Sequence, residues 1–231
     1  GHNPHKVITP GMPELLRRCG AEGIVLLRNE GNILPLNPAE SVSVFGRCQN
    51  DWFYVGYGSG GDVHPPYQES LMDGLRANGI ACNESLAKTY ADWCAMPENA
   101  PDHGWWGHWP YFHEEMPLTR EQGEEAARWS TVAMVVIGRA AGEDRENVLE
   151  PGSYYLTQKE KDNLRLICND FEKVVLLLDS GNIMDMSFVE ELDISAIVYA
   201  WQLGQESGNA IAEISCKAAT PKAQAEITEP T

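Results

Sequence analysis

"TVAMVVIGRAAGEDREN", residues 131–147, opens with eight almost wholly apolar residues and closes on six, of which four are charged. A short β-branched run closed by Gly138 suits a strand covered on both faces, as in a parallel sheet. Three other stretches have this character: "SVSVFG" at 41–46, "KVVLLLDSG" at 173–181 and "SAIVYAWQ" at 195–202. Between them, residues 12–31, 67–79 and 157–171 carry apolar side chains at three- and four-residue spacing, and a last helix follows at 206–218. Pro13 suits a helix start, Gly79 a helix end, and Thr157 with Glu160 forms a capping-box pattern. Alternating strand and helix implies an α/β fold: a doubly wound, mostly parallel sheet with helices on both faces. In such sheets ligands sit beyond the carboxyl ends of the strands. The loops after Gly46, Gly138, Gly181 and Gln202 are therefore where a site is expected.

Composition narrows the class of ligand. The chain has 231 residues, enough for a sizeable core. Its net charge is −17, with 17 scattered basic residues, which argues against nucleic acid because phosphate neutralisation needs clustered Lys and Arg. A neutral ligand fits better. No apolar run is long enough to span a bilayer, and "GHNPHKVITPG" lacks the basic start and apolar middle of a signal peptide. The chain does not begin with Met, which is compatible with removal of an upstream segment. Six cysteines (Cys19, Cys48, Cys82, Cys94, Cys168, Cys216) show no CxxC and no zinc-type spacing with His, which points to buried reduced thiols and, with the N-terminus, to the cytoplasm. No metal site and no cofactor are expected. The sequon Asn83-Glu84-Ser85 is by itself no evidence of secretion. Residues 1–215 read as one domain and the polar segment 216–231 as a tail or linker. A homo-oligomer is compatible with all of this.

Two loops suggest a binding surface. "YVGYGSGGDVHPPY" at 54–67 contains neither GxGxxG nor GxxxxGK[ST], so a nucleotide is disfavoured. Its Gly-Ser-Gly turn would let backbone approach a polar ligand while Ser59 offers a hydroxyl and Tyr57 borders the turn, or it is an ordinary glycine-rich turn. The segment at 94–118 holds Trp105, Trp106 and Trp109 among Pro, Gly and His and has no regular pattern. Such rings suit the apolar faces of sugars, and equally they suit packing onto the sheet. His103, His108 and His113 in the same segment lack metal-ligand spacing.

Glu143 is the candidate that carries chemistry. It follows Gly142 just past the carboxyl end of an apolar strand, where a carboxyl group can face a ligand crevice. A general acid in glycoside hydrolysis must be protonated at work, so burial or a neighbouring carboxylate has to raise its pKa. Asp144 and Glu146 would push that way and Arg139 and Arg145 the other. A charged turn making local ion pairs explains the same residues.

Taken together, the segments 21–36, 57–67, 138–147, 177–189 and 196–214 resemble, in order, the α/β-sandwich domain of family-three glycoside hydrolases, the β-glucosidase family. The resemblance covers roughly residues 12–214. It implies a retaining exo-acting glycosidase in which a (β/α)₈ barrel carries the nucleophilic Asp and the sandwich domain supplies the acid/base Glu. By motif position that residue is Glu143, with Ser59 as the sugar-contacting hydroxyl; Tyr57, Trp105 and Trp109 are the substrate-binding candidates from the two loops. The barrel and its nucleophile motif are not found in these residues. The partners implied are that barrel domain and a β-glucoside or related oligosaccharide. The resemblance to the group with reversed domain order places the barrel after Thr231. Two rival readings remain: a non-catalytic carbohydrate-binding or scaffold module of the same fold, and a flavodoxin-like nucleotide binder.

Overall fold

The computed structural model describes residues 8–58, 63, 65–105, 108–143 and 146–216. Its sheet has six strands: β1 (Val25–Asn29), β2 (Ser41–Phe45), β3 (Ala81–Cys82), β4 (Val132–Arg139), β5 (Lys173–Ser180) and β6 (Ala196–Tyr199). They lie in the order β1-β6-β5-β4-β2-β3. Every neighbouring pair is parallel except β1 with β6, which is antiparallel. The opening stretch supplies β4, with all eight residues buried, paired with β5 on one side and β2 on the other. Complete burial is why its sequence shows no alternation.

The two faces of the sheet bury separate cores. Val42, Val44, Met134, Val136, Val175, Leu177 and Val198 meet side chains of α2 (Leu71–Ala77) and α6 (Ser207–Cys216), with α1 (Met12–Gly23) packed against α6. Phe45, Val135, Ile137, Leu176, Leu178 and Ile197 point the other way, onto α3 (Glu84–Cys94), α4 (Arg120–Trp129) and α5 (Gln158–Asp170). This is the expected sandwich. Where α2 crosses α6 the backbones nearly touch: a Cβ on Gly208 would stand 2.0 Å from the Ser70 carbonyl oxygen.

Four elements differ from the sequence expectation: β1, β3, α3 and α4. The segment 12–31 is not one helix: α1 stops at Gly23 and β1 follows as an antiparallel edge strand. The β-branched pair Ile24-Val25 and the free edge of β6 explain the switch, since pairing Val25–Asn29 with β6 satisfies backbone groups that a continuing helix would leave off the sheet. The short β3 and helices α3 and α4 add a further parallel unit at the far edge. Both helices carry N-terminal signals, Asn83 accepting from the Leu86 N–H and Thr119 in a capping box with Gln122. Asn83 is buried, its amide donating to Ser43 Oγ at 3.0 Å, so the sequon's nitrogen is used inside the fold.

All six cysteines are free thiols; Cys48 and Cys82 are buried, Cys19 is exposed and the other three are half-buried. Among the described residues no helix is long and apolar enough to cross a membrane. The segment 217–231 lies outside the described residues.

Candidate active site

At the carboxyl end of the sheet the loops after β2, β4, β5 and β6 converge, as expected for this architecture. Glu143 lies on the β4 loop and is exposed. Its backbone is fixed by the β2 loop in both directions: the Tyr57 N–H donates to the Ala141 carbonyl at 2.7 Å, and the Glu143 N–H donates to the Tyr57 carbonyl at 3.0 Å. The pair forms an isolated parallel bridge between Tyr57 and Gly142. Side chains on both strands of that bridge would collide. A Cβ on Gly142 would approach Tyr57 Cβ to 2.9 Å, and one on Gly58, which has φ +130°, would approach Glu143 Cβ to 2.7 Å and its Oε2 to 3.0 Å. Both positions are glycine. Gly58 therefore lies directly against the Glu143 side chain.

The β5 and β6 loops close the other side. Asn182 Nδ2 donates to the Ala140 carbonyl at 3.3 Å, Gln202 Nε2 to the Arg139 carbonyl at 3.4 Å, and Asn147 Nδ2 to the Ile183 carbonyl at 2.6 Å. The Gly204 N–H reaches the Tyr54 carbonyl at 2.9 Å.

The predicted aromatic residues take different places. Trp109 is buried and stacks flat on Tyr57, with centroids 5.7 Å apart and planes 2° apart. It therefore supports the ring of Tyr57, which is half-buried and whose phenol is raised by burial and by Asp102. Trp105 is 67% exposed and meets His108 at a tilt of 31°, centroids 3.9 Å apart. Ser59, Trp106, Asp144 and Arg145 lie outside the described residues.

Arg139 is engaged between β4 and α5. All five of its N–H donors are occupied: Nε on the Ser153 carbonyl, Nη1 on the Gly138 carbonyl and Glu160, and Nη2 on the Tyr155 carbonyl and Glu160. Strand alternation turns it away from the loop and into the sheet's α5 side. There it ties the end of β4 to the start of α5.

Three buried titratable groups lie under the site; only His113 was weighed from the sequence, as a metal ligand. Asp179, on β5, is fully buried, and its Oδ2 accepts the Phe53 N–H at 2.7 Å. Burial pushes its carboxyl well above the ordinary carboxylate range, against the pull of the Phe53 hydrogen bond. Glu115 accepts from the Arg47 and Met116 N–H groups, and burial raises it to about 7. His113 stacks on Phe53, centroids 4.7 Å apart, and burial with the Arg47 charge lowers it to about 4. The signal for Asp179 was a lone acid inside "VVLLLDSG", a residue type seldom fully buried. Among the described residues no three His, Cys, Asp or Glu side chains gather as a metal site would require.

The sequence pattern of the glycosyl hydrolase family 3 C-terminal domain matches residues 24–230, beyond the last resembling segment at 196–214. A β-glucosidase from Ruminococcus albus is 42% identical over 202 residues, which cover 87% of this chain and 21% of that protein. Beta-glucosidase A of Butyrivibrio fibrisolvens is 29% identical over 226 residues, 87% of this chain and 26% of that protein. Among solved structures, a Paenibacillus barengoltzii β-glucosidase superimposes with a TM-score of 0.86 at 44% identity, over 91% of this chain and 23% of that one. Thermotoga neapolitana β-glucosidase 3B in complex with glucose gives 0.74 at 32% identity, over 87% of this chain and 28% of that one. The chain thus spans between about a fifth and just over a quarter of these relatives' lengths.

Proposed function

The chain belongs to glycosyl hydrolase family 3, as its C-terminal domain, and on that premise we propose that it is the acid/base-bearing domain of a retaining exo-β-glycosidase, with Glu143 as acid/base. The substrate class is a terminal β-linked sugar on an oligosaccharide or aryl aglycone. The observation that carries the reading is the reciprocal backbone bridge that holds Glu143 against Gly58, at the carboxyl end of the central strand.

The chemistry needs two carboxyl groups about 5 to 5.5 Å apart. An Asp from a barrel domain attacks the anomeric carbon while Glu143 gives its proton to the departing oxygen, leaving a glycosyl-enzyme ester. Glu143, now ionised, takes a proton from water as that water attacks the anomeric carbon and the ester bond breaks. A working general acid needs its charged form disfavoured by burial or by a neighbour. Glu143 is exposed in this chain, so the docked barrel and the sugar supply that desolvation. On this reading the chain alone is inactive. On this reading Ser59, which lies outside the described residues, is the sugar-contacting hydroxyl, and the exposed Trp105 is a substrate-binding ring, with Trp109 stacked on Tyr57.

The test is Glu143→Gln in the enzyme that includes the barrel, assayed on aryl β-glucosides of graded leaving-group quality. General acid catalysis contributes about 100-fold or more. kcat/KM for phenyl β-glucoside is expected to fall by that factor while dinitrophenyl β-glucoside, which needs no protonation, keeps most of its value. A uniform loss, or none, would overturn the assignment.

A further inference from the structure

Asp179 is a carboxyl group with no obvious reason to be where it is. It ends an apolar run on β5, is 0% exposed, and forms no ion pair; one oxygen accepts the Phe53 N–H at 2.7 Å and the other has no hydrogen-bond partner among the described residues. Burying a polar group in this way is unfavourable unless the bond it makes is needed. That bond fixes the first residue of a short rigid path. Phe53 lies against β4 so closely that a Cβ on Gly138 would be 2.8 Å from its ring. It also stacks on His113 and meets Tyr57 edge-on, centroids 6.5 Å apart. Tyr54 is held through its carbonyl by the Gly204 N–H, and Tyr57 then makes both hydrogen bonds of the bridge to Ala141 and Glu143. From Asp179 to Glu143 every link is a hydrogen bond, a ring contact or the backbone of residues 53–57.

We propose that Asp179 is a positioning residue for the acid/base: its carboxyl oxygen anchors the Phe53 N–H, and through residues 53–57 it sets where Glu143 stands. The inference rests on Glu143 being the acid/base. What the position requires is an acceptor oxygen, not a charge. Asp179→Asn keeps an acceptor oxygen in the same place, whereas Asp179→Leu keeps the bulk and leaves the Phe53 N–H unpaired. A displaced acid harms only reactions that need its proton, so the effect has a signature that simple loss of stability lacks.

The experiment compares Asp179→Leu, Asp179→Asn and Glu143→Gln in the barrel-containing enzyme, measuring kcat/KM on phenyl and dinitrophenyl β-glucosides. For Asp179→Leu we expect a loss of about tenfold on the phenyl substrate and less than about twofold on the dinitrophenyl one, since an unmade buried hydrogen bond is worth on the order of a tenfold factor. Asp179→Asn should behave as wild type on both. Equal losses on the two substrates, or an Asn variant as impaired as the Leu variant, would overturn the proposal. Should Asp179→Leu fail to fold, amide hydrogen exchange decides. Phe53 should be strongly and equally protected in wild type and Asp179→Asn, and exchange at the rate of an exposed loop amide would refute the anchor. A Glu143→Gln variant without leaving-group dependence would instead remove the reading on which the inference rests.

Discussion

Replacing Glu160 by Leu should destabilise the domain more than any surface change, because it strands a buried cation. The Arg139 and Glu160 side chains are 2% and 6% exposed, and their two hydrogen bonds are both 2.7 Å. Removing one partner of such a pair costs about 3 to 5 kcal/mol, since the remaining charge is neither hydrated nor neutralised. Glu160 Oε2 also accepts the Thr157 N–H at 2.7 Å in the capping box of α5, and loss of a cap costs about 1 kcal/mol more. Against a typical stability of about 5 to 15 kcal/mol, Glu160→Leu should lie near the edge of folding. Urea unfolding followed by tryptophan fluorescence measures the loss. The companion variant Arg139→Met/Glu160→Leu removes both charges and should recover most of the stability, because a paired charge replaced by apolar volume is often neutral. A single-variant loss under about 1 kcal/mol would refute the reasoning. So would a double variant whose loss equals the two single losses added together, since that excludes the coupling on which the magnitude depends.

Gly58→Ala places a methyl at φ +130° and 2.7 Å from Glu143 Cβ, so activity of the barrel-containing enzyme should fall at least about tenfold, with a stability loss of about 1 to 3 kcal/mol; unchanged kinetics would contradict the close approach. Gly208→Ala, whose Cβ would lie 2.0 Å from the Ser70 carbonyl oxygen, should destabilise by about 1 to 3 kcal/mol or more without a leaving-group signature. His113 has a folded pKa of about 4, below the ordinary 6.5, so the unfolded chain takes up the proton first as pH falls. Its contribution is complete above pH 6.5 and is lost as pH falls toward 4, by at most about 3 kcal/mol, and stability curves of wild type and His113→Gln should diverge over that window. Glu115 has the opposite sign: its folded value of about 7 exceeds 4.5, so its contribution is complete below pH 4.5 and is lost as pH rises to 7, which Glu115→Gln should abolish. If pH titrations of stability for both variants run parallel to wild type, the burial of these groups is misjudged.

What was legible in the sequence follows from where each signal is stored. β4, β5 and β6 announced themselves because burial on both faces leaves an uninterrupted apolar run, and α5 because its capping box is written in adjacent residues. The split of 12–31 into α1 and β1 was hidden, since Gly23 alone does not show that an edge strand is waiting to pair. Helices α3 and α4 were less legible: α3 carries a single Asn83 cap without a capping box, and α4, though boxed by Thr119 and Gln122, follows a tryptophan-rich segment with no regular pattern. At the candidate site, the proposed role of Glu143 rests on a family resemblance and on its place after a strand. Its backbone bridge to Tyr57 was not legible, because that contact joins residues far apart in sequence. The burial of Asp179, Glu115 and His113 was hidden for the same reason: their environments are made by other segments. The aromatic expectation divided in the structure, Trp109 serving packing and Trp105 remaining open.

The arrangement separates two demands on one residue. Its backbone must be held still, and the bridge and glycines around Glu143 do that within this chain. On the proposed reading its carboxyl is desolvated only when a substrate is present, and its exposure in this chain leaves that task to the docked barrel and the sugar.

The most direct measurement is the product formed by a Glu143→Ala variant of the barrel-containing enzyme from dinitrophenyl β-glucoside in the presence of azide. Without an acid/base the glycosyl-enzyme ester waits for a nucleophile that needs no deprotonation, and azide should attack the anomeric carbon and raise kcat. The expected product is β-glucosyl azide. The α-anomer would make Glu143 the nucleophile, and no azide acceleration would remove it from the catalytic pair.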